Sequence, residues 1–190
     1  MTTTRDQRIC PVELAGALDT NLRRWLQNPR KLLAPFIKPG MNILDIGCGP
    51  GFFTREMALM TGSEGHVVAA DLQEGMLSKV AEKIHDTELN TRITLHVCRQ
   101  DRIGLVDTFD FILAFYMVHE VPDKTPFLEE LYSLLKPGGR LLIVEPRFHV
   151  SEKTFARTVE ILSRCGFRIV RQGSSCMNRV VLVTHDPYPD

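Results

Sequence analysis

Short apolar runs recur at residues 41–46, 66–70, 93–97, 109–117, 140–145, 167–171 and 179–184. Their length and flanking glycine, proline and polar residues predict seven strands. Between most of them apolar positions fall at helical spacing, as in Met76, Leu77, Val80 and Ile84, or Phe127, Leu128, Leu131, Leu134 and Leu135. Alternating strands and helices predict a parallel sheet covered on both faces. The last two runs break the rhythm. The segment Gln172 to Asn178 has no room for a crossover helix, so they should pair as an antiparallel hairpin. Lys136-Pro137-Gly138-Gly139 reads as a helix stop and a turn. Ahead of the first strand, Leu14, Leu18, Leu22 and Trp25 predict a helix that Pro29 ends or kinks. A second short helical piece covers Leu32, Leu33, Phe36 and Ile37 and stops at Pro39-Gly40. The expected fold is therefore α/β: a doubly wound, seven-stranded, mostly parallel sheet with an antiparallel last strand. An N-terminal helical cap over 1–39 precedes one compact domain over 40–190.

Composition narrows the partners. At 190 residues, with 44% apolar and 24% charged content, the chain can bury one substantial core. Lys and Arg total 23, Asp and Glu also 23, so no basic excess argues for nucleic acid as a partner. The longest apolar stretch, Phe111 to Val118, falls well short of the ~20 residues of a membrane helix. The N-terminal residues lack the apolar core of a secretory signal. Cys10, Cys48, Cys98, Cys165 and Cys176 form no pair two residues apart, so neither a zinc knuckle nor a redox CxxC motif is expected. Reduced thiols and a cytoplasmic location follow as expectations, with a small molecule as partner and the oligomeric state left open.

The chemistry concentrates in Asn42-Ile-Leu-Asp-Ile-Gly-Cys-Gly-Pro-Gly-Phe-Phe-Thr54, a strand, a glycine turn and a helix start. Gly47, Gly49 and Gly51 leave no Cβ where a ligand approaches the backbone. The helix start beyond offers N–H groups to an anion such as a carboxylate. A dinucleotide fingerprint would need glycine where Phe52 stands, and Asp45 suits a ligand carrying positive charge; both argue against a nicotinamide oxidoreductase. A second strand ends in Val67-Val-Ala-Ala-Asp71, and a strand-end carboxylate can hold two sugar hydroxyls at once. Asp71 equally suits a cap for the helix starting near Gln73.

Leu44-Asp-Ile-Gly-Cys-Gly-Pro-Gly51 resembles motif I of the class I S-adenosylmethionine-dependent methyltransferases of the small-molecule type. Asp110-Phe-Ile-Leu-Ala-Phe-Tyr-Met-Val-His-Glu-Val121 resembles the fourth strand of that family and its loop, and Leu135-Lys-Pro-Gly-Gly-Arg-Leu-Leu142 the turn into its fifth. The likeness spans about residues 40–184 and implies a Rossmann-like methyltransferase domain with S-adenosylmethionine as cofactor. By that resemblance Asp45, Gly47, Cys48, Gly49, Gly51, Asp71, Leu72 and Phe115 line the cofactor. The family often places an acid after the third strand against adenine; the matching position here is Arg99, leaving Gln100 and Asp101 as candidates.

The reaction implied is methyl transfer to a small, lipophilic acceptor. Ligands of open α/β sheets sit beyond the carboxyl ends of the strands, which brings Phe115, Tyr116, His119, Glu145 and His149 towards the acceptor. His119, Tyr116 and Glu145 are the candidate catalytic residues, His119 for its near-neutral pKa. Leu22 and Trp25 are candidates to close over the site. His119-Glu120 is half of a zinc-binding H-E-x-x-H, but Asp123 stands at its last position, so no metal is expected. Two alternatives remain open: a protein that holds S-adenosylmethionine without transferring its methyl, and methylation of a thiophilic centre such as arsenite by gathered cysteines. The second requires Cys10, Cys48 and Cys176 to lie together.

Overall fold

The computed structural model describes residues 28–185. Its strands are β1 (Asn42–Ile46), β2 (His66–Asp71), β3 (Ile93–Val97), β4 (Phe109–Phe115), β5 (Leu135–Pro146), β6 (Arg168–Ser174) and β7 (Asn178–Thr184). Its helices are α1 (Pro29–Leu33), α2 (Thr54–Thr61), α3 (Glu74–Ile84), α4 (Lys124–Ser133) and α5 (Glu152–Arg164). The strands form one sheet in the order β3-β2-β1-β4-β5-β7-β6. All neighbours pair in parallel except β5 with β7 and β7 with β6, so the hairpin expected from its short connection is present.

Alternation along each central strand divides the core in two. Ile43, Val67, Ala69, Phe111, Leu113, Leu142 and Val144 point to the face covered by Leu33, Met57, Leu77, Val80 and Ile84 of α1, α2 and α3. Leu44, Val68, Ile112, Ala114, Leu141 and Ile143 point to the face covered by Leu128 and Leu131 of α4 and Phe155 and Leu162 of α5. A strand buried on both faces reads as a continuous apolar run, which is why these strands were visible in the sequence. The winding reverses between β1 and β4, and the crevice beyond their carboxyl ends is where open α/β sheets bind ligands.

Pro29 opens α1 at its first turn, behind the Asn28 cap whose side chain accepts from the Lys31 N–H at 3.1 Å. One local expectation is corrected. Lys136-Pro137-Gly138-Gly139 does not stop a helix: α4 has ended at Ser133, and Leu135 already pairs with Phe109. The four residues bulge out of β5 before pairing resumes at Phe111 and Arg140. Hydrogen bonds from Gly138 N to His185 O (2.7 Å) and from His185 N to Gly139 O (3.0 Å) hold the bulge. The helix at Leu14 to Trp25, with most of the expected 1–39 cap, lies outside the described residues.

Candidate functional site

Leaving β1, the chain turns through Gly47 (φ 69°), Gly49 (φ 54°) and Gly51 (φ 80°), a left-handed path that side chains resist. Two of these glycines also allow close packing. A Cβ at Gly47 would lie 2.7 Å from Met117 Cγ, and one at Gly51 would lie 3.0 Å from Val80 Cγ2. A Cβ at Gly49 would meet nothing within 4 Å, so this backbone faces open space.

The turn is tied down on every side. Gly47 N and Cys48 N donate to Ala70 O at 2.8 and 3.1 Å, and Lys83 Nζ donates to Pro50 O at 2.7 Å. Asp71, 8% exposed at the end of β2, accepts from Gly49 N through Oδ2 and from Gln73 N through Oδ1, both at 2.9 Å. Burial raises its pKa above the ordinary value, while the N–H groups of Gln73, Gly49 and Leu72 pull the other way. A carboxylate has about four acceptor positions, so these two hydrogen bonds leave capacity for sugar hydroxyls. Asp71 thus braces the turn from the end of β2.

Asp45 sits under the turn rather than at its surface. It is 2% exposed, and its Oδ2 accepts from Thr54 Oγ1 at 2.6 Å. Burial pushes its pKa up to about 7; the Thr54 hydrogen bond opposes this and the nearby Asp71 charge adds to it. Such a carboxyl becomes an anion readily when positive charge arrives beside it. Thr54 is a residue the sequence analysis missed, although it follows the glycine turn directly.

From the turn an aromatic row leads to the end of β4. Phe53 and Phe115 have ring centroids 4.4 Å apart, and Phe115 and Tyr116 4.2 Å. Phe115 is itself buried. Tyr116 is the one non-glycine residue with positive φ (60°) among the described residues. Its N–H donates to Val144 O at 2.8 Å and its hydroxyl donates to Asn178 Oδ1 on β7. Non-glycine residues adopt this region where surroundings enforce it, commonly at functional sites. Asn178, like Lys83 and Met117, gave no signal in the sequence, because each reaches the site through tertiary contact alone.

Three residues on, the short helical turn Val118–Glu120 presents His119 to β5. Glu145 is buried, and its two oxygens take the His119 main-chain N–H at 3.1 Å and the ring Nδ1 at 2.5 Å. Burial disfavours the charged imidazole, but the hydrogen bond and charge of Glu145, helped by Glu120, outweigh it and raise the His119 pKa. The exposed His149 ring lies parallel to His119 at 6.1 Å. His119 and Glu145 are therefore paired at the carboxyl ends of β4 and β5, while Tyr116 is held to Val144 and Asn178. Gln100 and Asp101 lie exposed on the turn after β3, and Leu72 is half-buried after Asp71.

Of the thiols, Cys48 lies near enough to Cys98 to feel its charge. Cys48 is buried within the turn, and burial pushes its thiol pKa well up; Cys176 is exposed between β6 and β7. Cys10 lies outside the described residues. Among the described residues no group of three or more His, Cys, Asp or Glu is placed to hold a metal, and no helix is long and apolar enough to cross a membrane. A cleft of about 310 Å³ between α4 and α5 and one of about 210 Å³ beside Arg140 and Arg168 both lie away from the glycine turn.

Residues 37–180 match the family model for a methyltransferase domain. A demethylmenaquinone methyltransferase of Listeria welshimeri is 31% identical over 122 residues, 64% of this chain and 51% of that protein. The ubiquinone/menaquinone biosynthesis C-methyltransferase UbiE of Vibrio vulnificus is 29% identical over 143 residues, 73% of this chain and 55% of that protein. The chain thus spans about half the length of the curated relatives it matches. A crystal structure of an S-adenosylmethionine-dependent methyltransferase from Aquifex aeolicus superposes with a TM-score of 0.82 at 29% identity, covering 93% of this chain and 99% of that one.

Proposed function

The chain belongs to the methyltransferase-domain family, and we propose that it transfers a methyl group from S-adenosylmethionine to a small, lipophilic acceptor. The observation that carries this reading is the glycine turn, open at Gly49 and locked to Asp71. Asp71 would take the ribose hydroxyls, and the backbone from Gly47 to Gly51 would lie against the amino-acid part of the cofactor. Asp45 would supply negative charge from beneath, with Leu72, Phe115 and the Gln100-Asp101 turn completing the cradle. The cofactor supplies an electrophilic methyl group on a sulfonium, so the protein's main task is to align the acceptor and exclude water.

The acceptor would approach from the other side, over Tyr116, His119 and Glu145. The quinone-pathway names of the relatives support an acceptor with a flat ring system. Methylation of a thiophilic centre has no support in the buried Cys48 and exposed Cys176. Calorimetry with S-adenosylmethionine and its demethylated product tests the reading. The wild-type chain should bind both and not NAD, and Asp71→Ala should bind them about 1.5–3 kcal/mol more weakly. Because Asp71 also braces the turn, Asp71→Asn is the companion variant: it keeps one acceptor oxygen and should lose affinity with less loss of stability. Tight binding of NAD and none of S-adenosylmethionine would end this reading.

A further inference from the structure

We propose that the cleft where β5 and β6 begin to flank β7 is a binding site for the phosphate group of a small molecule, held between Arg140 and Arg168. The pairing register builds it. Arg140 on β5 and Arg168 on β6 both lie opposite Thr184 of β7, the strand between them. Residues opposite one another in a sheet point to the same face, so both arginines stand on one side of the sheet and line the cleft with Thr184 between them. Their strands are two spacings apart, about 10 Å. That gap is one that two arginine side chains can close on a single anion. Val170, the extra residue of the bulge in β6, adds to the wall. Gly138 and His185 complete the lining. A Cβ at Gly138 would meet nothing within 4 Å, so the bulge of β5 leaves the cleft open there.

Charge selects the ligand. The cleft is lined by two arginines and a histidine and by no carboxylate. The cleft between α4 and α5 differs, setting Asp123 beside Lys124 and Arg157. Arg30, Arg92 and Lys136 each pair with a carboxylate, whereas among the described residues none pairs with Arg140. The Thr184 hydroxyl donates to Gly139 O at 2.8 Å, and His185 donates through Nδ1 to Leu135 O at 2.9 Å. An anion would therefore meet chiefly guanidinium N–H groups, of which each arginine has five. A carboxylate has one charge and two oxygens in one plane, which a single guanidinium satisfies. A phosphate monoester has nearly two charges and three oxygens at tetrahedral angles, so arginines on opposite walls can hold it together. The cleft of about 210 Å³ is smaller than the ~300 Å³ at which pockets for drug-sized ligands begin, so the phosphate carries only a small substituent. Lys and Arg are balanced by Asp and Glu at 23 each, so no wider field favours an extended polyanion.

This site is separate from the glycine turn. Arg140 and Glu145 are five residues apart along β5, about 17 Å, and it is the Glu145 end that reaches the crevice beyond the strands. Phosphate binding should neither require nor block S-adenosylmethionine.

Calorimetry with the full chain, in phosphate-free buffer at fixed ionic strength, tests the proposal with inorganic phosphate, glycerol 3-phosphate and acetate as probes. Wild type should bind a phosphate probe at one site with a dissociation constant near or below about 1 mM, the scale that two charge-assisted contacts give. Arg140→Gln and Arg168→Gln should each weaken binding about 10- to 100-fold. Arg140→Lys, which keeps the charge and loses the planar fork, should fall between Arg140→Gln and wild type. Arg157→Gln in the other cleft should bind as wild type does. Both cleft arginines are exposed, so the variants should keep the wild-type circular dichroism and thermal midpoint. Tighter binding of glycerol 3-phosphate would identify a phosphomonoester as the ligand, and tighter binding of inorganic phosphate the free ion. No saturable binding of either at millimolar concentration, acetate bound as tightly as phosphate, or affinity unmoved by Arg140→Gln would overturn the site.

Discussion

Asp45→Asn should make the protein without cofactor more stable at neutral and alkaline pH, and the size of the effect follows from where the carboxyl sits. Asp45 has an ordinary pKa of 3.8 when unfolded and about 7 when folded, chiefly because it is buried at 2% exposure. A group whose folded pKa is raised holds its proton more tightly in the folded state. Its contribution is therefore complete below the unfolded pKa and declines as pH rises through the folded one. At about 1.4 kcal/mol per pH unit the whole change is about 4 kcal/mol, and about 3 kcal/mol of it falls between pH 5 and pH 8. Asparagine has nearly the same shape, accepts the same hydrogen bond from Thr54, and does not titrate. Urea unfolding of both proteins without cofactor at these two pH values is the assay. Wild type should lose about 3 kcal/mol more than Asp45→Asn across the interval. His119, whose pKa is also raised, contributes to both proteins alike and cancels, whereas Asp71 is coupled to Asp45 through its charge and its part belongs to the measured difference. Parallel pH dependences in the two proteins would refute the argument. The same carboxyl should ionise when a cationic ligand binds beside it, so binding of S-adenosylmethionine near neutral pH should release protons in wild type and fewer in Asp45→Asn.

The glycine turn makes a paired prediction: Gly49→Ala should cost about 1 kcal/mol of stability for its left-handed backbone yet clearly weaken cofactor binding. Gly47→Ala should cost more in thermal unfolding, because its Cβ must displace Met117; the reverse ranking would contradict the packing. Among the thiols, an aromatic disulfide reagent followed by peptide mass mapping should mark exposed Cys176 at once. Buried Cys48, and Cys98 with its pKa pushed by burial to about 12, should react only as the protein unfolds.

Seven strands could be placed from the sequence because most are buried on both faces and read as apolar runs. The hairpin was legible because a chain of seven residues from Gln172 to Asn178 cannot make a parallel crossover. The start of β5 was not, since Lys136-Pro137-Gly138-Gly139 carries the local signature of a stop; only pairing with Phe109 and the hold of His185 keep it in the sheet. The glycine turn and Asp71 stood out because left-handed backbone demands a residue type that the sequence displays. The clasp between His119 and Glu145 spans 26 positions and that between Tyr116 and Asn178 spans 62. His119, Glu145 and Tyr116 could be nominated by their chemistry and Asn178 could not, and both partnerships depend on strand order, which periodicity does not encode. Asp71 was half visible: a carboxylate at the strand end is legible, but α3 is capped at Gln73 without a side-chain hydrogen bond, so the expected capping role is not taken, and the hold on Gly49 is a tertiary contact.

Hydrogen bonds to Ala70 and Asp71, and one from Lys83, fasten the glycine turn with the chain's own groups. A loop that closed around its ligand would spend part of the binding free energy on ordering itself. Here that ordering is accomplished during folding. Arrival of the cofactor should then be governed by diffusion and orientation, with a single-exponential association whose rate grows linearly with ligand concentration and shows no plateau. On the proposed reading any slow step should fall on the acceptor side, where Tyr116 is held to Asn178 and His119 to Glu145.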